Sequence, residues 1–284
     1  MNYNANTCNF QVEKVKKGLS VMIIDGHSHV ILPTEKHIEL MDEVGVDKTL
    51  LFYTSVHPET ATDFSGLKKE MQLLNEIIGG KTSAAVDARQ IGLRQQKEAI
   101  QRYPTRFIGF GSVPLSLQTA NEIGEYIEKE VIGNGYVGFG EFTLPSGAMK
   151  LLKPIFEAST DFGSLPLWIH AFNPLDLQDI NKIAQYAKEF SSVPIIIGHL
   201  GGSYWLETID LVKAIPNLYL DVSAYFSTLV LKMALNELPT KCLWGVDMPY
   251  GDLQLSLDAV RKLSIDSKVC EAVLGDNIAE LLKL

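Results

Sequence analysis

The stretch MIIDGHSHV, residues 22 to 30, carries the strongest signal for both the fold and the chemistry of this chain. It begins as an apolar strand and then places two histidines, His27 and His29, two positions apart. Because side chains two apart on a strand share a face, we predict that both imidazoles point the same way. Two converging imidazoles can bind one divalent metal ion, although an isolated pair of this kind also occurs as surface histidines in a turn.

Seven further short apolar runs follow along the chain, each bounded by glycine, proline or polar turn residues. Runs of this kind are typical of strands buried in a parallel sheet. The eight predicted strands span residues 22–25, 49–53, 107–111, 136–141, 165–170, 194–199, 218–223 and 243–247.

Helical periodicity fills the intervals between these strands. Predicted helices span residues 35–44, 121–131, 176–190, 205–214, 228–238, 253–263 and 268–282. Strands that alternate with helices predict a single-domain (β/α)8 barrel. The alternative is an open doubly wound sheet, for which the sequence offers neither a GxGxxG nor a Walker signature.

The connection between the second and third strands is longer than one helix requires. We predict two helices there, near residues 67–78 and 83–103, separated by Gly79 and Gly80. Since this connection follows a strand on the catalytic face of a barrel, we expect it to cover the pocket.

Composition indicates an ordinary globular chain of 284 residues, with 46% hydrophobic and 21% charged residues. We predict a barrel domain over residues 22–284 and a flexible arm over residues 1–21, which are polar and lack an apolar period. A net charge of -9 argues against a nucleic-acid-binding protein.

The remaining bulk features predict a cytoplasmic protein with no membrane association. The amino terminus lacks a signal-peptide pattern, and no apolar run is long enough to span a bilayer. Cys8, Cys242 and Cys270 are odd in number and widely spaced, so they are predicted to be thiols rather than a disulfide framework. The expected partner is a small-molecule substrate.

Polar residues recur where the later predicted strands end. His170, His199 and Asp247 each close an apolar run. Any one of them alone is more simply explained as a strand-end cap or a buried histidine with a hydrogen-bond partner. In a barrel, however, all strands end at one edge, so these side chains are predicted to meet His27 and His29 in a single metal site.

This combination of motifs resembles the amidohydrolase superfamily. The resemblance rests on DGHSH at residues 25–29, His170 on strand five, HLGG at residues 199–202 and GVDMP at residues 245–249. It is strongest for the amidohydrolase-related branch that includes the aminocarboxymuconate-semialdehyde decarboxylase-like enzymes, and it extends from about residue 22 to the end.

The resemblance implies a set of ligands and catalytic roles. His27, His29, His170 and Asp247 would hold a divalent metal ion, with zinc expected first. Asp247 would also act as the general base, and His199 as a catalytic imidazole. Glu141 would either bridge a second ion, with His199 as a further ligand, or fix the tautomer of a neighbouring histidine. Because related barrels often pair, a homodimer is also expected.

Three functions remain in competition at this point. The first is hydrolysis of an amide, lactone or ester, which the ligand set and Glu141 favour. The second is non-oxidative decarboxylation of a small unsaturated or aromatic acid, and the third is a non-catalytic small-molecule-binding barrel.

Softer candidates line the predicted mouth of the barrel. Aromatic groups there suit an organic substrate, although packing is the simpler explanation for each. Arg89 and Arg94, in the long connection, are candidates for pairing with a substrate carboxylate, and His37 is expected to be solvated. The aromatic and imidazole candidates for substrate binding are Tyr53, His57, Trp205 and Tyr225.

Overall fold

The computed structural model describes residues 21–78, 85–117 and 119–284. Eight parallel strands run through these ranges and alternate with helices. The strands are β1 (Ile24–His29), β2 (Lys48–Phe52), β3 (Phe107–Gly109), β4 (Phe139–Phe142), β5 (Leu167–Ile169), β6 (Ile195–Ile197), β7 (Leu218–Asp221) and β8 (Cys242–Leu243).

The strands form two parallel sheets that join into one closed barrel. One sheet has the order β1-β2-β3 and the other the order β4-β5-β6-β7-β8. Parallel bridges between Gly111 and Phe139, and between Ser28 and Met248, connect the two sheets at both seams. The predicted (β/α)8 barrel is therefore confirmed, and the open doubly wound alternative is wrong.

Helices surround the barrel and cover its outer surface. They are α1 (Thr34–Val44), α2 (Phe64–Ile78), α3 (Ala85–Arg102), α4 (Ala120–Tyr126), α5 (Lys153–Asp161), α6 (Leu177–Glu189), α7 (Trp205–Ala214), α8 (Thr228–Glu237), α9 (Leu253–Leu263), α10 (Ser267–Glu271) and α11 (Asn277–Leu282). Within the described ranges, no helix combines the length and apolar character needed to cross a membrane.

The structure corrects several predicted boundaries. Strand β1 continues through His29, because the two histidines belong to the strand rather than to a turn after it. Helix α5, whose second residue is Pro154, was not predicted from the sequence. The predicted final helix is interrupted by a π-helical turn over residues 272–276. The predicted flexible arm, apart from Val21, and Gly79 with Gly80 lie outside the described residues.

Helix α3 is attached firmly to the ends of β2 and β3. The Gln96 side-chain amide donates hydrogen bonds to the carbonyls of Leu51 (2.7 Å) and Phe110 (2.8 Å). One turn earlier, a Cβ added to Gly92 would lie 1.9 Å from the carbonyl oxygen of Thr54. Only glycine permits this close approach, so α3 runs across the carboxyl edge of these two strands.

His37 on α1 is buried rather than solvated, which makes that expectation wrong. Its side chain is only 1% exposed and packs edge-on against Phe107, with ring centroids 5.2 Å apart. Neither ring nitrogen has a hydrogen-bond partner among the described residues. Burial, aided by the nearby charge of Arg106, lowers the pKa of His37 from 6.5 to about 4.

The buried His37 predicts a stability loss in acid. Because its folded-state pKa lies below 6.5, the unfolded chain binds the proton more tightly between pH 6.5 and about 4. We expect His37→Leu to remove up to about 3 kcal/mol of the pH-dependent loss in that window. Urea denaturation from pH 7 to 4 measures it, with the exposed change Glu39→Gln on the same helix as control. Parallel pH profiles for wild type and His37→Leu would contradict the prediction.

Candidate metal centre

Six polar side chains meet at the carboxyl edge of the barrel. They come from β1, from β4 and from the residues that follow β5, β6 and β8. All six are at least largely buried, and His27 is fully buried. The set consists of His27, His29, Glu141, His170, His199 and Asp247, which the sequence predicted to converge.

The seam between β1 and β8 brings the first and last members of this set together. The backbone amide of Asp247 donates to the carbonyl of His27 (2.6 Å), and the amide of His29 donates to the carbonyl of Met248 (2.9 Å). Asp25, fully buried, accepts hydrogen bonds from the amides of His27 (3.1 Å) and Val246 (3.0 Å). These bonds fix the distance between the β1 histidines and Asp247.

Glu141 lies at the centre of the cluster and divides its two oxygens between two groups of histidines. Oε1 is 2.8 Å from His170 Nδ1 and 3.2 Å from His199 Nε2. Oε2 is 3.5 Å from His27 Nε2 and 3.3 Å from His29 Nε2. Asp247 Oδ1 joins the second group, 3.4 Å from His29 Nε2. The Glu141 carboxylate thus lies between two sets of candidate metal ligands, one set near each of its oxygens.

The ring nitrogen that faces away from Glu141 has a hydrogen-bond acceptor in all four histidines. The His29 Nδ1 lies 3.1 Å from the carbonyl oxygen of Tyr53, and the His170 Nε2 lies 3.2 Å from that of Asn173. A carbonyl accepts only, so each of these nitrogens carries the proton. The opposite nitrogen of each ring, Nε2 of His29 and Nδ1 of His170, is then the one that faces Glu141.

Ser223 is the hydrogen-bond acceptor for the outer nitrogens of the other two histidines, His27 and His199. Its Oγ lies 3.2 Å from His27 Nδ1 and 3.0 Å from His199 Nδ1, and it donates its only proton to Asp221 Oδ2. A hydroxyl has one proton and two lone pairs, so both Nδ1–H groups must donate to it. Asp221 also accepts from the backbone amide of His199 (2.9 Å). Both rings are therefore oriented with Nε2 towards Glu141.

The carboxylates of this cluster create a strong demand for positive charge. Burial lowers the pKa of His29, but hydrogen bonds with Asp247 and Glu141 outweigh it and raise that pKa to about 10. Burial likewise opposes a proton on His199, yet Glu141 and Asp247 raise its pKa to about 9. The four histidines hold the pKa of Glu141 well below its usual range in spite of its burial. The cluster therefore favours a positive charge between its carboxylates and imidazoles.

The backbone is shaped to let these side chains approach each other. His199 and Asp247 have positive φ angles of 52° and 62°, a conformation that costs about 1–3 kcal/mol for residues other than glycine. A Cβ on Gly245 would lie 2.3 Å from Asp221 Oδ1 and 2.9 Å from the Cβ of His27. Glycine at this position therefore leaves room for His27 and Asp221.

The residues present fit a divalent metal ion. The Nε2 of His27 is buried with no hydrogen-bond partner among the described residues, although it faces two carboxylates. Bonds of about 2.0–2.1 Å in a tetrahedral site separate neighbouring ligand atoms by roughly 3.3 Å. Glu141 Oε1, His170 Nδ1 and His199 Nε2 lie 2.8–3.2 Å apart, close to that spacing. Histidines that bind metals also commonly donate their other ring N–H, as all four do here.

Sequence reasoning missed Asp25, Asp221 and Ser223 as parts of this site. Asp221 and Ser223 are two positions apart at the end of a predicted strand, the same spacing as His27 and His29. That spacing was the available signal, because two polar residues on one face of a buried strand require partners.

The structure separates the softer candidates. Tyr53 and His57 follow β2 at the mouth, where His57 Nδ1 bonds Glu59 (3.0 Å) and Nε2 bonds Gln95 (3.0 Å). Trp205 and Tyr225 are half-buried and pack against the main hydrophobic core. Two aromatic residues that the sequence did not single out have rings beside the histidines: Phe172 is 6.5 Å from His199 and Tyr250 is 6.4 Å from His29, between ring centroids.

A closed eight-stranded parallel barrel with imidazoles and carboxylates gathered at its carboxyl edge defines the class of metal-centre TIM barrels. The chain belongs to the amidohydrolase family, whose model matches residues 24–284. The family resemblance predicted from the sequence is thus confirmed. A comparison with curated protein sequences finds no significant match.

Solved structures with the same fold include several decarboxylases. The 5-carboxyvanillate decarboxylase from Sphingomonas paucimobilis is 16% identical, with a TM-score of 0.64, covering 93% of this chain and 100% of the other. A dihydroxybenzoic acid decarboxylase from Polaromonas, with bound manganese and the inhibitor 2-nitroresorcinol, is also 16% identical, with a TM-score of 0.59 and coverages of 93% and 97%. A putative amidohydrolase from Staphylococcus aureus is 14% identical, with a TM-score of 0.64 and coverages of 93% and 100%.

At 14–16% identity these likenesses show the fold that the proteins share. Manganese, rather than the zinc expected here, is the metal named for the Polaromonas protein.

The shared hydroxyl of Ser223 yields a testable prediction that does not depend on any metal. We expect Ser223→Ala to leave two buried Nδ1–H groups without an acceptor, which lowers the free energy of unfolding by about 1–3 kcal/mol. Nitrogen-15 NMR of the imidazole rings should show shifted Nδ1 signals for His27 and His199, because both lose the Ser223 acceptor. Ser159→Ala, which removes a buried hydroxyl far from the cluster, is the control. Unchanged ring spectra in Ser223→Ala would contradict the assignment.

Proposed function

We propose that this chain is a metal-dependent enzyme whose centre holds two divalent ions bridged by Glu141. The supporting observation is the division of the Glu141 oxygens, one facing His27 and His29 and the other facing His170 and His199. Asp247 completes the first set of donors through Oδ1. A bridging carboxylate between two ions is a recurring arrangement in two-metal hydrolytic sites.

The bridging role predicts a change in metal content. Glu141→Gln replaces one oxygen by an NH2 group, which cannot bind a cation, so we expect the content to fall from about two ions per chain to about one or fewer. Elemental analysis after reconstitution with zinc or manganese measures it, with the exposed change Glu157→Gln as control. About one ion per chain in the wild type would favour the single-ion site and leave Glu141 to fix a histidine tautomer.

The geometry favours hydrolysis of a carbonyl compound. Divalent ions held by these residues would supply an activated water molecule and polarisation of a substrate carbonyl. Asp247 would accept the proton of the attacking water and return it to the leaving group, because His27 and His29 lower the pKa of its carboxyl in spite of its burial.

Decarboxylation of a small aromatic or unsaturated acid is the second candidate. It is supported by the decarboxylases among proteins of the same fold. In that reaction the same imidazoles and carboxylates would orient the substrate, and a protonated side chain would deliver a proton to the carbon that loses carbon dioxide.

One assay separates the two reactions. Metal-loaded protein is supplied with a panel of aryl esters, lactones, amides and hydroxybenzoates in water enriched in oxygen-18 and deuterium. Hydrolysis places one oxygen-18 atom in the product, whereas decarboxylation releases carbon dioxide and places solvent deuterium on carbon.

We expect oxygen-18 incorporation, and we expect Asp247→Asn to lower kcat by about 100-fold or more with the fold intact. Carbon dioxide release without oxygen-18 would replace hydrolysis by decarboxylation. A protein that binds panel members and turns none over would support the non-catalytic barrel.

A further inference from the structure

Arg89 lies at the mouth of the barrel, and no carboxylate among the described residues forms an ion pair with it. Its side chain is half-buried, and Nη2 donates to the carbonyl (3.0 Å) and to the Oγ (2.9 Å) of Ser112. Its guanidinium carbon lies 5.5 Å from the centre of the Tyr53 ring. Within the described ranges it forms no ion pair, whereas Arg102, Arg106 and Arg261 each pair with a carboxylate.

The position of Arg89 follows from the way α3 is attached. Gln96 bonds carbonyls at the ends of β2 and β3, and Gly92, one turn earlier, touches the carbonyl of Thr54. Arg89 lies on the same face another turn earlier, because residues three and four apart are neighbours on a helix. The helix therefore carries Arg89 beyond the strand ends and over the opening.

Arg89 is also connected to the candidate metal centre through one residue. Tyr53, which lies under its guanidinium, accepts the ring proton of His29 at its carbonyl oxygen (3.1 Å). The neighbouring groups on this side of the mouth are mainly acidic or neutral: Glu59 and Glu70 bond His57, which also contacts Gln95. Arg89 is thus a fixed positive charge at an otherwise acid-rich entrance.

A partly desolvated guanidinium is stable when a planar anion accepts its free N–H groups. Among the described residues only Nη2 has hydrogen-bond partners, so Nε and Nη1 remain for a ligand. The entrance also offers apolar surface, since Phe172 and Tyr250 are 37% and 40% exposed near the histidines. An anionic group attached to an apolar or aromatic body matches both features.

We propose that Arg89 binds a carboxylate of the substrate, which is a small apolar or aromatic compound bearing that carboxylate in addition to the group held at the metal centre. The proposal rests on the proposed metal centre for the second point of attachment. Arg94, five residues further along the same helix, is exposed and makes no ion pair within the described ranges, so it has no such role.

The test uses benzohydroxamate, whose hydroxamate group binds divalent metals, and its derivatives with a carboxylate at ring position 3 or 4. Calorimetry with metal-loaded protein gives the dissociation constants. We expect at least one carboxylated compound to bind wild type about 10-fold or more tightly than benzohydroxamate. Arg89→Gln should abolish this preference while its affinity for benzohydroxamate stays the same. Arg94→Gln, the same charge change on the same helix, should keep the preference.

The outcomes separate the two proposals. If benzohydroxamate binds and wild type shows no preference for either carboxylated compound, or if Arg89→Gln keeps the preference, the role of Arg89 is overturned and the metal centre stands. If no hydroxamate binds metal-loaded protein, both proposals fall together. A melting temperature within a few degrees of wild type, and unchanged metal content, establish that Arg89→Gln is folded. Arg89→Lys should retain only part of the preference, because it keeps the charge but loses the planar fork.

Discussion

The seam between β1 and β8 is the constraint on which the rest of this structure depends. A barrel is closed by its first and last strands, and here that closure also sets the site, since His27, His29 and Asp247 belong to its two sides. The buried Asp25 reinforces the seam by accepting backbone amides from both strands, and burial raises its pKa to about 7. A residue that stabilises the fold thus also positions the chemistry.

Around this seam, hydrogen bonds fix the orientation of each imidazole towards a shared carboxylate. Four histidines lie within contact of one carboxylate, and each uses its outer nitrogen on a hydroxyl or carbonyl that cannot move far. The other ring nitrogen of each histidine therefore faces Glu141. Preorganisation of this kind is the usual way in which proteins tune the basicity and orientation of metal ligands.

The sequence predicted the barrel and the convergence of the six central side chains, because buried parallel strands have a distinctive apolar pattern and all end at one edge. It failed where tertiary contacts decide the outcome. His37 reads as a surface residue on an amphipathic helix, yet it packs against Phe107, a strand residue distant in sequence. Ser223 ends a predicted strand, and only the folded chain shows that two histidines share its hydroxyl. Arg89 and Arg94 cannot be distinguished by sequence, since their difference is the face of α3 on which each lies.

The hydroxyl of Ser223 links His27 and His199, which are 172 residues apart in the sequence. Five strands, β2 to β6, lie between them along the chain. Each imidazole uses one of the two lone pairs of a hydroxyl whose proton goes to Asp221, so the two rings share one partner. The energetic effects of changing the two histidines are therefore coupled rather than additive.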